Sequence, residues 1–212
     1  MTEKPIIFST AMVQAILAGN KTMTRGVVKP QPVESDTLVS KVFSGTEFVT
    51  RYDNDRLMIT NTSKPYCRPG DVLWVREAFG FSQDGHIVFR ADGERIAWGP
   101  IKWRPSIHLP RKYARIFLRV TNVRCERVQD ITPEDCCAEG VYKKASLNRS
   151  VLEAVINFRS LWDSLNAKRS GCSWGDNPWV WCISFEKIKD YTGEPDQFTK
   201  EVDKYLTRNL KG

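Results

Sequence analysis

"ARIFLRVTNV", residues Ala114–Val123, is the stretch on which the fold reading turns. Ile116, Leu118 and Val120 share one side of an extended chain, while Arg115, Phe117, Arg119 and Thr121 share the other. That period-two alternation describes a strand with one face in a core and the other carrying arginines and an aromatic ring. Upstream, "RPGDVLWVREAF" from Arg68 places a Pro-Gly-Asp turn before a second strand, with Val72, Trp74 and Arg76 on one face and Leu73, Val75 and Glu77 on the other. "KPIIFS" from Lys4, "GHIVFRADG" from Gly85 and "PWVWCISFEKI" from Pro178 read as further strands, the last one closing the sheet. Between Asp36 and Asn61, "TLVSKVF", "EFVTRY" and "RLMITN" read as a peripheral meander.

Helices are fewer. Ser9 or Thr10 caps one that runs through Val13, Ile16 and Leu17 and ends at Gly19, whose missing Cβ suits a left-handed C-terminal cap. "DITPEDCCAEGV" has Thr132 as N-cap, Pro133 at the first helical position and acids in the first turn, and stops at Gly140. Ser150 caps a longer helix on which Val151, Leu152, Val155, Ile156, Phe158, Leu161, Trp162 and Leu165 recur at helical spacing. Residues 191–212 form a tail, read as one more helix on Phe198, Val202, Tyr205 and Leu206. Many short strands with few helices predict an α+β protein, a small β-barrel or curled sheet with peripheral helices: one domain over residues 1–190, with the meander inserted at 35–65.

At 212 residues and 41% hydrophobic content the chain can bury a real core. Its net charge of +7 is local. Eight basic residues against one acid, Glu126, lie between Pro100 and Arg127, so that segment alone equals the whole excess. A concentrated basic surface points to a phosphate-bearing partner, with a solvated strand face as the plain alternative. Arg111, Arg115 and Arg119 from this segment, with Arg25, Arg76 and His108, are the candidate contacts to a nucleic acid or substrate. Six cysteines without a C-x-x-C pair and two histidines give little material for a zinc site, so neither a metal nor another cofactor is expected. No start resembling a secretory leader and no apolar run of spanning length are seen, which predicts a cytoplasmic protein with no membrane partner.

The phosphate-loop, dinucleotide, H-E-x-x-H and G-x-S-x-G motifs are absent. What remains is "ILAGNKTMTRGVVKP", Ile16–Pro30, where a lysine, two threonines and an arginine sit between apolar segments. Spacing alone reads them as a solvated helix exit. Residues three apart on a straight strand point to opposite faces, so Lys21 and Thr24 converge only if the chain bends between them.

Taken together, "KPIIFSTAMVQAILAGNKTMTR" from Lys4, "PGDVLWVRE" from Pro69, "WRPSIHLPRKYARIFLRVTNVRCERVQDITPEDCCAEGV" from Trp103, "LWDSLN" from Leu161 and "NPWVWCISFEKI" from Asn177 resemble the ASCH domain family, a branch of the PUA-like β-barrel superfamily. The longer form, with its meander and "SIHLPR", looks like the version common in phages and prophages. Asn20 and Gly26 depart from the usual basic positions of the G-x-K-T-x-T-R block. The resemblance implies a PUA-like barrel and an association with RNA binding. Compact members look like amidohydrolases that remove an acyl group from the exocyclic nitrogen of N4-acetylcytidine-like substrates. Carried onto this chain, their lysine is Lys21, their threonine Thr24 and their glutamate Glu139. In such a trio a neutral Lys21 takes the proton of Thr24, Thr24 attacks the acyl carbon, and Glu139 protonates the departing amine. A non-catalytic RNA-binding module and a nuclease for single-stranded RNA are the alternatives the same resemblance leaves open.

Overall fold

The computed structural model describes residues 1–31, 52–53, 56–57, 64–83, 85–93, 100–141, 151–189 and 191. The elements are β1 Glu3–Ile7, α1 Thr10–Leu17, β2 Met23–Val27, β3 Tyr52–Asp53, β4 Arg56–Leu57, β5 Val72–Arg76, β6 Phe79–Phe81, β7 Ile87–Phe89, β8 Phe117–Arg127, α2 Pro133–Ala138, α3 Val151–Asn166 and β9 Trp179–Lys187. Five strands form one sheet in the order β1-β5-β8-β9-β2, parallel between β1 and β5 and antiparallel elsewhere. The chain therefore begins at one edge, crosses by way of α1, and enters the opposite edge as β2.

Among the described residues this sheet is open, which corrects the barrel expectation: β1 and β2 are its two edges, and α1 rather than a pairing connects them. The mixed α+β class with a few packed helices holds. Of the meander, β3 and β4 pair with each other; the rest of it, the Ser150 cap and the tail beyond Tyr191 lie outside the described residues.

Two cores flank the sheet. On one face Val13 and Ile16 of α1 meet Phe8, Leu73, Val75, Ile116, Leu118, Val120, Trp181 and Phe185. Ile116, Leu118 and Val120 thus take the buried side that their alternation assigns. A register shift between Val120 and Asn122 then moves the alternation by one, so Val123 instead of Asn122 returns to the core. On the other face α2 and α3 cover Met23, Val180 and Cys182. The buried stripe of α3 is Ala154, Phe158 and Trp162, each four residues on, while Val151, Leu152, Ile156 and Leu165 point outward. Apolar spacing alone overstated that helix's buried face, because only one side of it meets the sheet.

Beyond β5, β6 and β7 pair as a hairpin. Gly80 makes room for the segment that follows, since a Cβ there would stand 2.3 Å from Ile101 Cγ2.

Candidate functional site

Two helix ends meet beside the β2 edge. Ser9 caps α1, accepting from Met12 N at 3.4 Å, and Gly19 (φ +74°) turns the chain out of it as expected. The Ala15 carbonyl then accepts from both Asn20 N and Lys21 N, which holds Lys21 against the last turn. Thr132 accepts from Asp135 N at 3.2 Å to start α2. Glu139 ends α2, and the left-handed Gly140 (φ +79°) follows. Lys21 and Glu139 face each other as an antiparallel bridge, extended by Thr22 N donating to Ala138 O at 2.8 Å. The approach is close: a Cβ on Gly140 would stand 3.0 Å from Lys21 Cβ and from Ala15 Cβ.

The side chains continue what the backbone begins. Lys21 Nζ donates to Met23 O at 2.8 Å, Glu139 O at 2.9 Å and Glu139 Oε2 at 2.8 Å, and none of its side-chain surface is exposed. Three acceptors match the three N–H bonds of an ammonium, whereas a neutral amine has two. The Phe8 ring centroid lies 5.6 Å from Nζ and closes the remaining side. Glu139, 4% exposed, receives Arg25 Nη1 on its other oxygen at 3.0 Å.

Arg25 extends the cluster. It also donates to Glu126 Oε1, through Nε at 3.2 Å and Nη2 at 2.6 Å, and to Asp135. Arg124 bonds the same two acids, reaching Glu126 Oε2 at 2.9 Å. Three cations and three carboxylates from β2, β8, α2 and the α1–β2 turn thus cancel, with the Phe158 ring centroid 5.7 Å from the Arg25 guanidinium. Burial opposes the charge on Arg25, but the Glu139 and Glu126 carboxylates hold its pKa above the ordinary value. Burial likewise works against ionised Glu126, and hydrogen bonds from Arg25 and Arg124 overcome it, leaving its pKa below the ordinary value.

Thr24 lies apart from this cluster. It pairs with Ile183 on β9, while its neighbour Arg25 pairs with Cys182, so Thr24 is on the α1 side of the sheet and Arg25 on the α2/α3 side. No hydrogen bond joins Thr24 to Lys21 or Glu139. Around Thr24 on that face lie Gly26, opposite Trp181, and Arg127, opposite Trp179. Gly26 has open space where a side chain would stand, and the Arg127 guanidinium lies 4.6 Å from the Trp179 ring centroid.

The remaining sequence candidates are dispersed. Arg111 forms a bidentate pair with Glu3, Nε to Oε2 at 2.7 Å and Nη2 to Oε1 at 3.0 Å. Arg115 forms two: with the buried Glu77 at 2.9 and 3.0 Å, and with Asp92 at 2.7 Å twice. Arg119 lies 4.0 Å from Glu186. Arg76 stacks on Trp74 at 5.5 Å and donates to Ile107 O, leaving its Nε buried without a partner. His108 is exposed in a 3-10 turn at Ser106–His108. Sequence reading missed the acids that organise these cations: Glu77, Asp92, Glu126 and Asp135. The alternating charges of "RCER", Arg124–Arg127, were the one local signal. Among the described residues no group of three or more His, Cys, Asp or Glu is placed to hold a metal ion, and no helix is long and apolar enough to cross a membrane.

No family model matches the chain, and no curated protein matches it. Among solved structures, a DUF984 protein from Enterococcus faecalis V583 is similar over 93% of this chain and 86% of its own, at 11% identity and a TM-score of 0.41. An ASCH domain from Lactobacillus crispatus JV V101 is similar over 88% and 79%, at the same identity and TM-score. At that distance neither structure assigns a role to a residue of this chain.

Proposed function

We propose that the chain is an ASCH-type domain that binds a nucleobase or nucleoside on the sheet face beside Thr24 and does not turn it over. One observation carries the second half: the Lys21 ammonium has all three N–H bonds engaged and no exposed surface. A general base needs a free lone pair within reach of the proton it takes, and this nitrogen has neither. Glu139 is in the same position as an acid, both oxygens being bound by cations. In this reading Lys21, Glu139 and Arg25 fix the helix ends that frame the face. Thr24 supplies a hydroxyl, Gly26 the clearance for a flat ring, and Trp179 with Arg127 a stacking wall.

A second reading has one observation in its favour. The lysine and glutamate that the resemblance pairs do touch, at 2.8 Å, with Thr24 three residues along. An N-acyl cytidine hydrolase would require Lys21 to leave Glu139 when substrate arrives.

Calorimetric titration with cytidine and N4-acetylcytidine, followed by acetate analysis of the same mixtures, separates the two. The first reading expects binding weakened about two- to tenfold by Thr24→Val, the loss of one hydrogen bond, and no acetate. Acetate released by the native chain and not by Thr24→Val establishes the second, and absence of binding to either nucleoside rejects both.

A further inference from the structure

The charge excess between Pro100 and Arg127 is not where its arginines first place it. Arg111, Arg115, Arg119 and Arg124 each have a carboxylate beside them, and Arg127 donates to the Asn177 carbonyl at 3.0 Å. Lys102, Arg104 and Lys112 remain: all three are exposed and none has a carboxylate partner among the described residues. They converge on one small aromatic subregion outside the main sheet.

Its order is built. Arg104 and Phe79 exchange backbone hydrogen bonds at 2.7 and 3.2 Å, which fastens the 101–104 segment to β6, and Lys102 O lies 3.2 Å from where a Gly80 Cβ would be. A 3-10 turn at Arg111–Tyr113 brings Tyr113 edge-on to Phe81, centroids 6.1 Å apart. Both rings are half-buried over Phe79 and Leu109. The Arg104 guanidinium lies 5.5 Å from the Phe81 centroid, and Lys112 Nζ lies 4.8 Å from that of Tyr113. The result is a row of cation, ring, ring, cation, with Lys102 two residues before Arg104 on the fastened segment.

We infer that this row is a contact surface for single-stranded nucleic acid, separate from the face beside Thr24. The chemistry fits that partner in two respects. Unpaired cations attract successive phosphates, and a guanidinium beside an aromatic ring offers planar groups on which an unstacked base can lie. Half-buried aromatics between the cations also give a reason for the row to prefer exposed bases over the regular backbone of a duplex, whose bases are already stacked. An acidic peptide would satisfy the cations but leave the rings without a role.

The test is fluorescence anisotropy with labelled oligouridine and oligothymidine of about twelve nucleotides, within the range of known single-strand sites. Three phosphate contacts predict log affinity falling with log salt at a slope of about −2, since each contributes about 0.7. Arg104→Glu with Lys112→Glu is expected to weaken binding at least about tenfold and to flatten the slope by more than one. Lys168→Glu, an equal change per site beyond the end of α3, is expected to leave both nearly unaltered. Tyr113→Leu keeps apolar volume and loses the π-face, for an expected loss of about five- to a hundredfold. Circular dichroism of each variant confirms the fold. Equal affinity for the charge-reversed and native chains overturns the inference, as does competition by polyglutamate as strong as by unlabelled oligonucleotide. Uridine against thymidine decides whether RNA or DNA is favoured. Nucleoside titration at Thr24 is read separately, so failure of either site leaves the other standing.

Discussion

Replacing Lys21 by Met separates a structural lysine from a catalytic one. The change keeps the length and apolar stem of the side chain and removes only the ammonium. It strands three acceptors in a closed site: Met23 O, Glu139 O and Glu139 Oε2. Arg25 still holds Glu139 Oε1, so the carboxylate keeps one cation and loses the other. Breaking a buried pair from one side costs about 3–5 kcal/mol. For a chain of this size each kcal/mol lowers Tm by about 2–4 °C, so a fall of about 6–20 °C is expected. Urea denaturation followed by tryptophan fluorescence gives the free energy directly, provided the m-value is unchanged. The double variant Lys21→Met with Glu139→Gln removes both charges. It is expected to be more stable than the sum of the single losses by about 1–3 kcal/mol, because neither charge is then left alone. A loss under about 1 kcal/mol for Lys21→Met, with no coupling to Glu139, would refute the closed ion pair and return Lys21 to the pool of reactive amines.

Two further outcomes concern Gly140 and the Glu126 and Asp71 carboxylates. Gly140→Ala places a Cβ 3.0 Å from Lys21 Cβ at a φ of +79°, so a loss of about 1–3 kcal/mol is expected by urea denaturation, against almost none for Gly26→Ala, whose side-chain position is open. Acid titration probes the carboxylates. Burial raises the pKa of Glu126, but Arg25 and Arg124 bring it below 4.5; burial raises Asp71, but backbone N–H bonds from Thr2 and Arg68 bring it below 3.8. Each therefore contributes stability that is complete above those ordinary values and is lost as pH falls through the lower folded ones. Urea midpoints measured from pH 6 downward are expected to drop in that window, and Glu126→Gln to lower the neutral plateau while flattening the drop.

What the sequence made legible is what short-range rules govern. The caps at Ser9 and Thr132, the stops at Gly19 and Gly140 and the faces of β5 and of Ile116–Val120 depend on a few adjacent residues and on backbone geometry. The carry-over of Lys21 and Glu139 placed two residues 118 positions apart in one contact, a distance no periodicity spans. Charge partners were not legible for the same reason. Arg25 looks like the exposed end of a polar loop until β8 and α2 bring Glu126 and Asp135 to it, and Arg115 looks like a strand-face cation until Glu77 and Asp92 close on it. The openness of the sheet escaped too, because strand count limits a sheet's size while closure depends on which edges meet.

Thr24 shows how much rests on one residue of register. The bend after Gly19 brings Lys21 to Glu139, but the chain is regular β-strand by Met23, and from there alternation alone decides direction. Had the bend come one residue later or earlier, alternation would have turned the hydroxyl to the side of the ionic cluster. With Thr24 opposite Ile183 and Arg25 opposite Cys182, the sheet itself stands between the threonine and the carboxylates. One side is a neutralised ionic cluster under helices, and the other is a half-buried face with a hydroxyl, a glycine and a stacked indole. Chemistry that needs proton transfer between the two sides would have to pass around the β2 edge. Chemistry that needs only a shaped, polar-tipped surface can occur on the Thr24 side alone, so the binding role we propose asks for no rearrangement of the ionic cluster, whereas hydrolysis would.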